Sequence, residues 1–396
     1  MPISPSRIHG DFALTASAAV LALGLVAPGA HAQDASAYGI ETVAEGFDNA
    51  WGMAFLPDDG RLLVSERPGR LKLVDRESGE VEEISGLPDI HAEGQGGLLD
   101  IAIHPDFAED NWLYMAWSGT NDAGQSSTYV GRARLDVEAL ELSELEELFV
   151  AEPFDAPGVG HYGSRLAFDA DNRLYFSVGD RQSKDFGPEH VAQDLSVDLG
   201  KIHRIEADGS VPDDNPFVDV DGARETIWSY GHRNPQGLGF HPETGELWEN
   251  EHGENNGDEI NIIQGGENFG WPIATWGVDY RTGERFAPTP PEVADAVEPV
   301  YWWEPDHPEG FPPSGLTFYD GDAFPDWQGH IFMGNLRHQY LGRFSVDGME
   351  VEMEERLLDG EGWRIRDVAV GPDNGYLYVL IDDANAPLVR LVPASD

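Results

Sequence analysis

One histidine and three arginines carry most of the chemistry this sequence offers. His161 lies in Gly160-His-Tyr-Gly-Ser164, where small residues leave backbone room for a ligand. An ordinary imidazole pKa of ~6.5 suits it to general-base work near neutral pH. Arg233, Arg364 and Arg366 present planar forks that match carboxylates. Three such forks around one point imply a polyanionic or multi-carboxylate ligand. Arg366 precedes Asp367, so a structural ion pair is its competing use. The stretch Glu251-His-Gly-Glu-Asn-Asn-Gly-Asp-Glu-Ile-Asn261 is rich in oxygen donors of the kind Ca²⁺ takes. It lacks EF-hand spacing, and solvated charge is the ordinary use of such a loop.

These residues are far apart in sequence, so the fold must gather them. Six times an apolar strand is followed by a Pro/Asp/Gly turn and a second apolar strand. The first strands are Trp51–Phe55, Leu99–Ile103, Arg165–Phe168, Gly237–Phe240, Gly315–Phe318 and Asp367–Val370. The answering strands are Leu62–Val64, Trp112–Met115, Leu174–Phe176, Leu247–Trp248, His330–Met333 and Tyr376–Val379. Four-stranded blades need roughly 40–50 residues each, so the middle repeats carry insertions. The expected fold is all-β: a six-bladed β-propeller with long top-face loop insertions such as 272–313. A pair of β-sandwiches would not explain six matched hairpins. The best helical stretch, Val137 to Glu147, is short and reads equally as a charged loop.

The hairpins act as a ruler. Residues just before each first strand share a rim with those just after each second strand. Before the first strands come Asp48 and Asn49, Gln95, His161, Arg233 and Asn234, Ser314, and Arg364 and Arg366. After the second come Glu66, Asp180, Glu251 to Glu254, Arg337 and Asp382. His161 is the only histidine among the residues named before the first strands. A base, several guanidiniums, amides and carboxylates thus converge on one end of the axis.

Composition narrows the partners. A net charge of −49 argues against nucleic acid and anionic membranes. The absence of cysteine excludes disulfides, thiol catalysis and thiolate metal sites. Residues 1–32 read as a cleavable signal: Arg7, an apolar run from Phe12 to Val26, then Ala30-His-Ala32. Residues 33–396 then form one propeller domain, periplasmic or secreted, with no membrane insertion of the mature chain. Lysine is confined to Lys72, Lys184 and Lys201, a balance common in proteins that work in high salt. Molar salt shortens the Debye length to ~3 Å and quiets self-repulsion. The melting temperature is therefore expected to rise between low and molar NaCl, and an unchanged value would reject a high-salt adaptation.

The motifs Gly94-Gln-Gly-Gly-Leu-Leu-Asp-Ile-Ala-Ile-His-Pro-Asp-Phe107, Gly231-His-Arg-Asn-Pro-Gln-Gly-Leu238, Asp258-Glu-Ile-Asn261 and Arg364-Ile-Arg-Asp367 resemble those of the soluble PQQ-dependent aldose sugar dehydrogenases, the glucose/sorbosone dehydrogenase family. The resemblance covers nearly all of the mature chain. It implies pyrroloquinoline quinone (PQQ) over the top of the channel, an aldose substrate oxidised at the anomeric carbon, and an external electron acceptor. By resemblance His161 is the base, and Gln95 and Arg233 meet substrate or the reacting quinone oxygens. Asn234, Ser314, Arg337, Arg364 and Arg366 fall to the cofactor. Carbonyls of Gly253 and Glu254 fall to a calcium beside the quinone, and Glu259 with the carbonyl of Phe269 to a second, structural calcium.

Three departures from the family pattern stand out. Glu254 replaces a common proline, Arg337 a common lysine, and Gly160 the aspartate of the glucose-oxidising branch. The competing expectations are a calcium-dependent propeller lactonase or hydrolase, and a non-catalytic binding propeller.

Overall fold

The computed structural model describes residues 38–394 apart from 58–59, 155–157 and 308. The expected signal segment lies outside the described residues. Six four-stranded antiparallel sheets account for all the described strands. The innermost strands are Ala50–Phe55, Leu98–Ile103, Leu166–Phe168, Pro235–Phe240, Pro313–Phe318 and Ile365–Val370. Each matches a predicted first strand, and the hairpin partner follows in every case. Blades 1 to 6 are numbered here in that order.

The ring is closed by its two ends. Tyr38–Phe47 pairs antiparallel with Ala386–Pro393 and becomes the outer strand of blade 6. A chain without cysteines closes its ring in this way by strand pairing and burial alone. Each interface between neighbouring blades holds its own apolar cluster. Leu63, Leu71 and Leu73 of blade 1, for example, pack on Leu98, Leu113 and Met115 of blade 2. Complete burial of one such side chain contributes about 1.5–3 kcal/mol.

The 137–147 segment is neither helix nor loop in its second half. Glu141–Val150 is the outer strand of blade 2, paired with Ser126–Asp136. Its acids lie on the solvent side of a sheet edge, where charge also blocks edge-to-edge pairing. The unpaired edge of the neighbouring strand decided the local structure over a weak helical spacing.

Candidate functional site

The rim residues meet at one end of the axis. A cavity of about 560 Å³ lies there, bounded by Asn49, Gln95, Asn234, Arg337, Arg364 and Arg366 among others. Arg67 also reaches it, so four arginines face one cavity. An adjoining cavity of about 310 Å³ is lined by His161, Arg233, Glu254, Lys184 and Tyr280. Gln95, His252, Pro312 and Arg337 border both.

The floor is built from the inner strands. Arg165 runs across the channel with Nη1 3.2 Å from Asp100 and 3.0 Å from Asp367. Its guanidinium lies 4.2 Å from the centre of the Trp51 ring. Asp367 thus pairs with Arg165 from blade 3, not with its sequence neighbour Arg366. Burial pushes the Asp367 carboxyl up to about 6, against the pull of Arg165.

His161 enters the smaller cavity from the loop before blade 3's inner strand. Its backbone is left-handed, with φ of 52°, a conformation that costs a non-glycine residue on the order of 1 kcal/mol. Gln95 Oε1 accepts its backbone N–H at 2.8 Å. Gly179 passes behind it so closely that a Cβ there would sit 2.3 Å from the His161 carbonyl oxygen. The ring's Nδ1 lies 2.6 Å from Asp180 Oδ1. Asp180 Oδ2 accepts from the Trp271 indole at 2.9 Å. Burial opposes ionisation of Asp180, but the charges of His161 and Arg233 more than offset it and hold the carboxyl low. An ionised carboxylate only accepts, so His161 Nδ1 carries the proton and Nε2 keeps its lone pair. Among the described residues Nε2 has no hydrogen-bond partner. Burial first, and then the Arg233 charge, lower the His161 pKa below its ordinary 6.5.

The arginines are held in different ways. Arg366 donates Nη1 to Gln236 Oε1 at 3.1 Å and Nη2 to Asp382. Arg364 donates to the Leu336 carbonyl at 2.8 Å and meets Asp382 at 3.3 Å. The Arg366 Nε is buried without a partner. Ser314 does not line the cavity; it is buried behind Arg366, donating Oγ to the Arg366 carbonyl at 2.6 Å. Arg337 is exposed at the rim and forms no ion pair among the described residues.

Arg233 is pinned in the cavity wall. It donates to Glu254 Oε2 at 2.6 Å and to the His252 carbonyl at 3.2 Å, over the Trp271 ring. Glu254 therefore does more than replace a proline: its buried carboxylate fixes and neutralises the guanidinium nearest His161. The spacing of 233 and 254 gives no hint of this pair, and nothing in the sequence marks Trp271 as a partner of Asp180.

The metal expectations find suitable donors. Among the described residues, the carbonyl oxygens of Gly253, Glu254 and Phe269 accept no hydrogen bond. Phe269 and Glu259 border a cavity of about 10 Å³ with Gly253 and Thr275, room for about one ion or water.

The family model for Glucose / Sorbosone dehydrogenase matches residues 47–390. The chain is 41% identical over 355 residues to the aldose sugar dehydrogenase YliI of Escherichia coli (strain K12), across 89% of this chain and 92% of that protein. It is 27% identical over 404 residues to quinoprotein glucose dehydrogenase B of Acinetobacter calcoaceticus, across 84% and 82%. Among solved structures, the apo-form soluble aldose sugar dehydrogenase of Escherichia coli superposes with a TM-score of 0.82 at 39% identity, covering 90% of this chain and 99% of that one. The PQQ-bound aldose sugar dehydrogenase of Streptomyces coelicolor gives 0.72 at 28% identity, covering 90% and 98%.

Proposed function

The chain belongs to the glucose/sorbosone dehydrogenase family and is an oxidoreductase acting on sugars, and from that premise we propose that it oxidises aldoses to lactones with PQQ and calcium, using His161 as the base. One observation carries the cofactor reading. In a chain with 73 acidic residues and 24 lysines and arginines, four arginines line a single axial cavity. Such a ring of guanidiniums suits a flat tricarboxylate. Arg364 and Arg366 would hold its carboxylates from blade 6 and Arg337 from blade 5. Asn234 would meet its ring, and Ser314 would brace Arg366 from behind. Glu254 and Gly253 would offer carbonyls to the calcium beside it, and Glu259 with Phe269 to the structural calcium.

When bound, PQQ supplies the two-electron acceptor and calcium a Lewis acid. The chain's own residues do the rest. His161 Nε2 takes the proton of the anomeric hydroxyl while Asp180 keeps Nδ1 protonated and the ring in place. The same carbon gives up its hydrogen as hydride, and the lactone is left. Gln95 and Arg233 border the space beside His161 and would orient the sugar there. Arg165 stacks on Trp51 beneath the cavity and supports its floor. Cofactor turnover then requires an external electron acceptor. We place the enzyme in the periplasm or outside the cell, after cleavage behind Ala32. No helix of the described residues is long and apolar enough to cross a membrane.

A propeller hydrolase would need a metal among free carboxylates in the channel. Here Asp100 and Asp367 already share Arg165, which favours the dehydrogenase. A purely binding propeller has no use for a buried, oriented His161–Asp180 pair.

PQQ titrated into the calcium-loaded protein is expected to quench tryptophan fluorescence saturably, since Trp51 lies in the cavity wall. Arg366→Gln should weaken that binding about 30-fold or more, the size of a lost buried charge partner. Unchanged affinity in the variant would remove Arg366 from the cofactor site.

A further inference from the structure

Blades 3 and 4 meet through the smallest of the apolar interfaces. It holds six buried hydrophobic residues, where each of the other five interfaces holds at least eleven. The rest of that interface is polar. On blade 4, Glu249 pairs in register with Asn261, and Glu251 with Glu259. All four share the sheet face of Leu247 and Ile263, which pack on Tyr175 and Ile202 of blade 3. Blade 3 answers with Ser229 and with His232 just beyond it. His232 Nδ1 lies 3.1 Å from Glu251 Oε1, and Nε2 lies 2.9 Å from Ser229 Oγ. One ligand atom each from His232, Glu249 and Glu251 lie within 4.8 Å of one another.

The charge in this pocket does not balance. Glu249, Glu251 and Glu259 are all buried, and among the described residues none of them pairs with an arginine or lysine. Arg233 is committed to Glu254. Lys201 points its ammonium at the carbonyls of Val191, Ala192 and Leu199. A buried carboxylate without a counter-cation costs several kcal/mol. Two oxygens have no hydrogen-bond partner: Glu249 Oε1 and Asn261 Oδ1. Glu249 is 0% exposed and Asn261 1%, so bulk solvent does not reach either oxygen.

We propose that His232, Glu249 and Glu251, with Asn261 beside them, form a divalent transition-metal site that joins blade 3 to blade 4. Imidazole nitrogen with carboxylate oxygen suits Zn²⁺ or Mn²⁺, whereas Ca²⁺ takes oxygen alone. Without an ion, Nδ1–H donates to Glu251 and Ser229 donates to Nε2; with an ion bound, Nε2–H would donate to Ser229 and free the Nδ1 lone pair for the metal. Ser229 is then the outer partner that metal-bound histidines usually have. The set differs from the expected calcium donors Glu259 and Phe269: Glu251 sits directly opposite Glu259, and Glu249 and Asn261 lie two residues further along the same strand pair. Glu251 also accepts the backbone N–H groups of Arg233 and Asn234, at 2.5 and 3.3 Å. The ion would therefore brace the segment that carries both residues into the cavities. The site stands apart from the sugar chemistry and is tested without it.

The test uses the mature chain stripped with EDTA, in molar NaCl to screen its acidic surface. Ca²⁺ is restored to saturation, Zn²⁺ or Mn²⁺ is added in its presence, and metal content after gel filtration and melting temperature are measured against the Ca²⁺-only chain. With the calcium sites saturated, retention of about one Zn²⁺ or Mn²⁺ per chain is expected, and either ion should raise the melting temperature beyond the value reached in Ca²⁺ alone. Glu249→Gln, which keeps the Asn261 hydrogen bond, should weaken the retained ion at least ~10²-fold. Co²⁺ should show ligand-field absorption in the native chain that the variant lacks. A stripped native chain indifferent to Zn²⁺ and Mn²⁺ would mean that a proton on Glu249 balances the charge, and the proposal fails. Equal binding by the variant identifies an adventitious ion only and also overturns it. If Glu249→Gln does not fold, His232→Gln gives the same comparison, and the native titration decides alone.

Discussion

His161→Gln is expected to lower turnover by ~10²-fold or more while PQQ binding stays within a few-fold of the native value. Glutamine keeps much of the side chain's shape and polarity but cannot take a proton, so the loss isolates base catalysis. The geometry leaves one nitrogen for that work. Nδ1 is committed to Asp180 at 2.6 Å, and Nε2 is the one left without a partner. The same assignment fixes a pH profile. The base acts only when neutral, so kcat/KM should fall as pH drops through the His161 pKa. Burial and the Arg233 charge place that pKa below 6.5 in the free enzyme. The acid limb should therefore lie below the ordinary histidine value, and the limb should vanish in the variant. Steady-state dye reduction across pH checks both, and native-like turnover in the variant would take His161 out of the mechanism.

Asp180→Asn should cost between ~10²- and ~10⁴-fold in kcat, the scale seen when a base is turned to its wrong tautomer. The native carboxylate forces the proton onto Nδ1. An asparagine amide donates toward Nδ1 instead, which moves the imidazole proton to Nε2 and blocks the base. Asn still offers one oxygen to the Trp271 indole, now 2.9 Å from Asp180 Oδ2, so the fold should survive. Losing the Asp180 charge also removes a contribution that raises the His161 pKa, and any residual activity should extend to lower pH. A kcat within a few-fold of native, with an unchanged melting temperature, would show that Asp180 does not set the tautomer.

The propeller was legible because each blade's two inner strands are short, apolar and joined by a compact turn. Leu62–Val64 and Tyr376–Val379 read as strands because their neighbours on both faces are other blades. The outer strands read poorly. Glu141–Val150 has mostly exposed acids and takes its strand conformation from pairing with Ser126–Asp136, which no local spacing encodes. Rim positions were readable from hairpin ends: His161 and Arg233 border one cavity, with Asp180 behind His161, and Arg366 borders the adjoining one. Their pairings were not readable. Arg366 pairs with Asp382 within blade 6, and Arg233 crosses its loop to Glu254. Such pairs follow from side-chain reach across the rim, and the spacing of residues along the chain says nothing about it. Ser314 shows the limit of the ruler: its position is on the rim, but its hydroxyl turns inward to the Arg366 carbonyl.

The central claim is that this cavity holds PQQ and oxidises sugars at the anomeric carbon. The direct test is to add PQQ and Ca²⁺ to metal-stripped protein, supply several aldoses with an artificial electron acceptor, and follow dye reduction. Sugar-dependent reduction that requires both PQQ and Ca²⁺ is the predicted result. No turnover with any aldose, together with no PQQ-induced absorbance change, would contradict it.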